Sequence, residues 1–500
     1  MAEAVKHFDV LIVGAGISGV GAAWHLRHKC PDRSFAVLES KATFGGTWDT
    51  HRYPGIRSDS DLFTFGYKFK PWTGAPIATA GEILKYMGEV IEENELDQYI
   101  QYGRKIQRAA FDRTTQRWTL EVTDVGSGAS LRYSCNFLWM CQGYYRHDRP
   151  YTPDWDGIAD YKGTILHPQQ WPEDFDHTGK RILVIGSGAT AATLVPALCD
   201  KAQHVTMLQR SPTYFAPGLN RNELADTLRE LDIPDDWIHE IVRRKINFDM
   251  AELTRRSFDE PDLLKAELIA MAREYLGPDF DVEKHFTPSY RPWQQRLAFI
   301  PDGDLFMGIR EGKASVVTDQ IERFTETGVL LKSGQLLEAD VIVTATGFDL
   351  SVMGDIEFAV DQKPVDFAET TTWRGMMFTG VPNMIWVFGY FRASWTLRAD
   401  LIAELVCRLL NDMGQAGQGL AEPVVPESQR GMPKLPWVDP HNFNPGYLQR
   451  SLDLLPKQGD QEPWIHKQDY QTEKDELPAI AFDDGSLSFT PILEQVSSAG

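Results

Sequence analysis

Two glycine-rich turns, each closing a short apolar run, constrain this chain more than anything else in it. Phe8 to Val13 reads FDVLIV, an apolar stretch that ends at glycine, the pattern of a parallel strand buried on both faces. GAGISG follows, with glycines at 14, 16 and 19. A helix-like stretch, Val20 to Lys29, and a second strand, Phe35 to Leu38, lead to Glu39. Together they make a complete strand–helix–strand unit. Gly14 permits the tight turn, Gly16 lets a pyrophosphate approach the backbone, and Gly19 lets the helix lie close to the strand. The helix start offers unpaired N–H groups and the positive end of its dipole to phosphates. Glu39 is placed to accept hydrogen bonds from a ribose diol.

The same architecture returns at Arg181 to Gly186 (RILVIG). GSGATA supplies Gly186, Gly188 and Ala191, and the next strand, Val205 to Leu208, runs into Gln209, Arg210 and Ser211. Arg210 stands nearly where Glu39 stands in the first unit. A carboxylate there would repel a 2′-phosphate, whereas a guanidinium can grip one with two hydrogen bonds. The first site should therefore take a dinucleotide with a free ribose diol, and the second NADPH. The bland reading of Arg210 is a solvated arginine at a strand end. The fold class is α/β, with two Rossmann-like dinucleotide-binding domains.

Composition narrows the function further. The chain has 500 residues, too many for one ordinary core, so two or three domains are expected. Its net charge of -21 argues against nucleic-acid binding, which wants a basic footprint. The five cysteines, at 30, 135, 141, 199 and 407, show no metal or redox spacing, so no metal is expected. They read as reduced, mostly buried thiols of a cytoplasmic protein. No apolar run reaches the roughly 18 residues of an integral membrane segment. MAEAVKHF runs straight into a strand and lacks a signal-peptide core.

Tyr161 to Pro172 (YKGTILHPQQWP) lies in the gap between the two units. Spacing alone reads it as a linker, because Gly and Pro punctuate loops. It also resembles the fingerprint of the type I Baeyer–Villiger monooxygenases, F-x-G-x-x-x-H-x-x-x-W-P/D. Gly163, His167, Trp171 and Pro172 fall in register, and Tyr161 departs mildly from Phe. Gly45-Gly46-Thr47-Trp48 followed by RYPG resembles the loop that covers the flavin in these enzymes. RYPGIRSDSD (52–61), YRPWQQRL (290–297) and ASWTLRADL (393–401) are most similar to the shorter, ethionamide-activating branch. The resemblance covers roughly Phe8 to Leu410.

The resemblance implies FAD in the first site and NADPH in the second. In this family NADPH reduces FAD, oxygen adds to the reduced flavin, and the peroxyflavin attacks a ketone to give an ester or lactone. Sulfur is also oxidised. Arg296, by its place in YRPWQQRL, matches the catalytic arginine. Asp59 in RSDSD matches the acidic residue that positions it; the bland reading of the two is an ordinary salt bridge. Gln295 departs from a common Lys, which puts a secondary NADPH contact in doubt. The chemistry needs a cation beside a peroxide anion. Unit charges ~4 Å apart at an effective dielectric of ~20 interact by about 4 kcal/mol, roughly three pKa units. The implied partners are a small apolar ketone or sulfide and molecular oxygen.

The expected division is residues 1–150 and 351–500 for FAD, and 151–219 and 291–350 for NADPH. Residues 220–290 are a helical insertion, placed to cap the active site. In Asp262 to Leu276, Leu264, Leu268, Met271 and Tyr275 fall on one face. The last ninety or so residues, rich in Pro, Trp and Asp, are expected to wrap the surface. Three rivals remain: a flavin-containing monooxygenase limited to N or S oxidation, a disulfide reductase, and a redox-sensing binding protein. Trp171-Pro172 argues against the first. The second needs a cysteine pair near the flavin, and no Cys lies between Cys30 and Cys135.

Overall fold

A computed structural model describes residues 5–493; residues 1–4 and 494–500, at the two ends of the stretches assigned to FAD, lie outside the described residues. The first apolar run forms the strand Lys6–Val13 at the middle of a large mixed sheet. It pairs in parallel with Phe35–Leu38 on one side and Ser130–Met140 on the other. Its side chains alternate between two cores. Val10 and Ile12 point into one, and Leu11 and Val13 into the other, so both faces are covered. Arg117–Asp124 and Arg104–Asp112 extend the sheet in antiparallel fashion, and Met384–Trp386 returns late in the chain to pair with Ser130–Met140.

The second unit builds a five-stranded parallel sheet. Its order is Ala314–Thr318, His204–Gln209, Arg181–Ile185, Val341–Thr344 and Thr164–Leu166. The last of these belongs to the YKGTILHPQQWP stretch. That stretch is no free linker: its backbone is the edge strand of this sheet, and Trp171 is buried in the core beneath. An antiparallel three-stranded piece, Ile321–Thr325, Gly328–Leu331 and Leu336–Glu338, hangs beside it.

Helices Glu223–Glu230, Asp235–Asp259, Pro261–Leu276 and Val282–Phe286 fall within the expected insertion. The buried stripe of Pro261–Leu276 is Leu264, Leu268, Ala272 and Leu276, not the face that includes Met271, which is 37% exposed. The stripe follows the i, i+4 ridge, which drifts around the helix relative to a strict 3.6-residue period. Buried Arg243 donates to the carbonyls of Phe63, Thr64 and Gly66, so the insertion packs on the first domain.

The C-terminal stretch does not wrap the surface. Trp437 and Trp464 are among the largest fully buried side chains, and Phe443, Leu448, Leu455 and Leu477 are also buried in the two cores of the first sheet. Its apolar residues are spaced too irregularly to show a period, yet these six are buried against the sheet. No helix among the described residues is long and apolar enough to cross a membrane.

Candidate active site

The two glycine turns open on one cavity of about 710 Å³. On the first side, the Gly14 amide donates to the Leu38 carbonyl at 2.8 Å, and a positive φ of 96° turns the chain. Gly14, Gly16 and Glu39 line the cavity. Gly19 does not. A Cβ on Gly19 would sit 1.8 Å from the Gly14 carbonyl oxygen, so this glycine sets the closeness of helix and turn. Helix Ile17–Lys29 begins at Gly16 without a side-chain cap, which leaves its first N–H groups open to a phosphate.

Glu39 is only 6% exposed. One carboxylate oxygen accepts from the Ala15 amide at 2.7 Å and the other from the Lys41 amide at 2.8 Å. The turn and the strand end therefore fix it at the cavity wall. Gly46, Thr47 and Trp48 line the same side. These residues fit FAD: a pyrophosphate cradle, a ribose-facing carboxylate and an aromatic wall.

On the second side Gly186, Gly188, Arg210 and Ser211 line the cavity, and helix Ala189–Leu198 also starts without a side-chain cap. Ala191, fully buried, packs helix against strand instead. Arg210 is exposed and makes no ion pair among the described residues, so its guanidinium is available to a phosphate. Of the linker residues, Gly163 and Trp171 lie away from the cavity. His167 lines a small crevice beside it, together with His51 and Phe348.

Asp59 and Arg296 meet between the two cradles. Arg296 Nε donates to one Asp59 oxygen at 2.5 Å and Nη2 to the other at 2.7 Å. Burial works against the charge, but the carboxylate more than offsets it, and the guanidinium is held above its ordinary pKa. Nη1 has no protein acceptor among the described residues, and both side chains line the cavity.

The rings around this pair carry no motif in the sequence. Tyr144 and Tyr145 share a hydroxyl hydrogen bond of 2.8 Å, Tyr145 lies against Phe348, and Tyr144 stacks on Trp395. Burial raises both phenols above their ordinary pKa, so they stay neutral. The signal was present: the two tyrosines directly follow Cys141-Gln142-Gly143, where the strand Ser130–Met140 delivers the chain against the first glycine turn at Gly14. His51 was missed too. It is 2% exposed, and its pKa is pushed down to about 3, chiefly by burial. Of the expected insertion, residues 220–290, Tyr290 lines the cavity, while helix Asp235–Asp259 packs on Leu62–Phe65.

Residues 12–71 match the NAD(P)-binding Rossmann-like domain family, and residues 77–222 match the flavin-binding monooxygenase-like family. The FAD-containing monooxygenase EthA of Mycolicibacterium smegmatis is 45% identical over 498 residues, spanning 99% of each chain. The chain belongs to the EthA-like FAD-containing monooxygenases. EthA of Mycobacterium tuberculosis is likewise 45% identical, over 97% of this chain and 98% of its own. An ε-caprolactone-bound cyclohexanone monooxygenase superposes with a TM-score of 0.75 at 18% identity, over 97% of this chain and all of that one. A steroid monooxygenase bound to NADP gives 0.74 at 21%, with the same coverage. The EthA-like chain thus shares the two-dinucleotide flavoprotein fold of these Baeyer–Villiger monooxygenases.

Proposed function

We propose that this EthA-like chain is an NADPH- and oxygen-dependent Baeyer–Villiger monooxygenase. One oxygen atom enters between a ketone carbonyl carbon and its neighbour to give an ester or lactone. The other leaves as water, with NADPH supplying two electrons. Sulfoxidation is a second activity of the same site. The observation that carries this reading is the Asp59-held Arg296 between the two dinucleotide cradles.

Bound FAD, once reduced, supplies the activated oxygen. The chain's own residues do the rest. Arg296 keeps its charge at any working pH, and its unshared Nη1 is the donor offered to a developing oxyanion. Asp59 fixes the guanidinium by two hydrogen bonds, so little ordering is left to occur during reaction. Tyr144, Tyr145, Phe348 and Trp395 exclude water, which strengthens each charge interaction in the site. Arg210 selects the phosphorylated nicotinamide cofactor. The five cysteines are unpaired, in keeping with a cytoplasmic enzyme.

The flavin-binding monooxygenase-like match over 77–222 supports one alternative, oxidation confined to N or S. The variant Arg296→Ala separates the two. It should retain FAD and lose ester formation by about two to three orders of magnitude, the range for removing an oxyanion donor. An alanine variant that makes ester at the wild-type rate refutes the assignment.

A further inference from the structure

Tyr447 reaches the cavity from the C-terminal stretch, on the short helix Gly446–Gln449. The Asn444 amide donates to the Gln294 carbonyl at 2.9 Å, which ties this turn to the segment carrying Arg296 two residues further on. Pro445, Gly446 and Tyr447 line the cavity together with Gln295 and Arg296. The Tyr447 ring centroid lies 6.5 Å from that of Tyr144 and 6.3 Å from that of Tyr145.

Three phenol hydroxyls therefore gather beside one guanidinium. Tyr144 and Tyr145 share their bond of 2.8 Å, and the Tyr144 hydroxyl is also the hydrogen-bonding neighbour of Tyr447. None of the three donates to a carbonyl or carboxylate among the described residues. A row of three hydroxyls closes two hydrogen bonds and leaves one hydrogen unspent. Tyr447 and Tyr145 are the ends of that row, so the spare hydrogen belongs to one of them. Arg296 favours Tyr447. It is the largest influence on that phenol after burial, whereas on Tyr145 it ranks behind both neighbouring phenols. Burial outweighs the cation and raises Tyr447 above its ordinary pKa, so the hydrogen stays on the oxygen and is offered to the cavity.

Ketone oxidation creates a use for such a donor. As oxygen adds to the carbonyl carbon, the π pair of the C=O bond moves onto the carbonyl oxygen. As the neighbouring carbon migrates to the inserted oxygen, that pair returns and the carbonyl re-forms. One substrate oxygen thus carries negative charge through the step, and a second donor beside Arg296 Nη1 would stabilise it where it develops. A sulfide has no carbonyl oxygen and places no such charge on the substrate.

We propose that Tyr447 is a catalytic residue whose hydroxyl donates a hydrogen bond, beside Arg296 Nη1, to the ketone oxygen as it becomes anionic. No proton leaves Tyr447 during the step. This deepens the Baeyer–Villiger reading and rests on it. The competing role is that of a wall-filling ring, which a phenylalanine would serve equally well.

The experiment uses the FAD-loaded full chain as wild type, Tyr447→Phe and Tyr145→Phe, each with an aryl ketone and an aryl sulfide. Tyr447→Phe should bind flavin as the wild type does and lower kcat for ester formation about a hundredfold, the effect of one lost oxyanion donor. Its KM for the ketone should stay within about twofold, because the bond strengthens as charge develops. Sulfoxide formation should not change. A readout without turnover is the infrared carbonyl stretch of a carbon-13-labelled ketone bound to the oxidised enzyme. It should move up towards its position in apolar solvent in Tyr447→Phe and stay in place in Tyr145→Phe. Ester formation at the wild-type rate, an equal loss of sulfoxide, or a loss that follows Tyr145→Phe instead overturns the proposal and leaves the Baeyer–Villiger reading standing. A carbonyl stretch unmoved by Tyr447→Phe overturns it as well. Sulfoxide without ester from the wild type removes the Baeyer–Villiger reading, and this role for Tyr447 with it.

Discussion

Arg398 and Glu473, 75 residues apart in the chain, form a fully buried ion pair with Nε 3.0 Å from one carboxylate oxygen and Nη2 3.1 Å from the other. Tyr390, which lines the cavity, donates to the same carboxylate at 2.6 Å. The C-terminal helix Tyr470–Ala479 is thereby tied to the long helix Trp395–Gln415 and to the active-site wall. Removing one partner strands the other charge in a dry interior. Glu473→Ala should cost about 3–5 kcal/mol in denaturant unfolding. An unfolding curve that overlays the wild type would show that the pair is not needed.

Only the locally encoded parts of this fold were legible in the sequence. The two nucleotide units were, because βαβ units announce themselves by apolar runs, glycine spacing and a charged strand end. Glu39, Asp59 and Arg296 each arrived at the cavity wall by those cues or by their motifs. The C-terminal stretch was not legible. Trp437 and Trp464 bury themselves by filling gaps in a sheet assembled from distant segments, and no local period records such a gap. The tyrosine pair and His51 were hidden for the same reason: their importance comes from what distant segments, carrying Phe348 and Trp395, bring against them.

The two glycines of the first turn should behave differently. A Cβ at position 19 would lie 1.8 Å from the Gly14 carbonyl oxygen, whereas at position 16 it would meet only the Gly46 Cα, at 3.7 Å. Gly19→Ala should therefore disturb the turn itself and reduce soluble yield. Gly16→Ala should fold but lose flavin, because the new methyl group stands where the pyrophosphate approaches. Flavin absorbance per purified chain and circular dichroism distinguish the outcomes. Equal flavin content in Gly16→Ala and wild type would place the pyrophosphate elsewhere.

Arg210 carries the cofactor preference in this account. Arg210→Ala should raise the KM for NADPH by about tenfold or more while barely changing that for NADH, since only the former has the 2′-phosphate. Because Arg210 is exposed, the wild-type preference should also weaken with added salt. Equal effects on the two cofactors would move the 2′-phosphate away from this residue.

His51 makes stability depend on acid. Its folded pKa of about 3 lies below the ordinary 6.5, so the unfolded chain binds the proton first. Its contribution is fully present above about pH 6.5 and is lost as pH falls towards 3. Between pH 7.5 and 5 this one group should remove about 2 kcal/mol. His51→Gln should lose correspondingly less over that interval, measured by denaturant titration at the two pH values. Identical losses in variant and wild type would contradict burial of a neutral imidazole.

The central claim is that the Arg296–Asp59 pair directs oxygen next to a ketone carbonyl. Its most direct test is mass spectrometry of products from aerobic incubations with NADPH, labelled oxygen gas, a panel of linear, cyclic and aryl ketones, and an aryl sulfide. The expected products are an ester or lactone carrying one labelled atom, absent with Arg296→Ala, and a sulfoxide alongside. Sulfoxide with no ester from any ketone would contradict it and assign the chain to heteroatom oxidation.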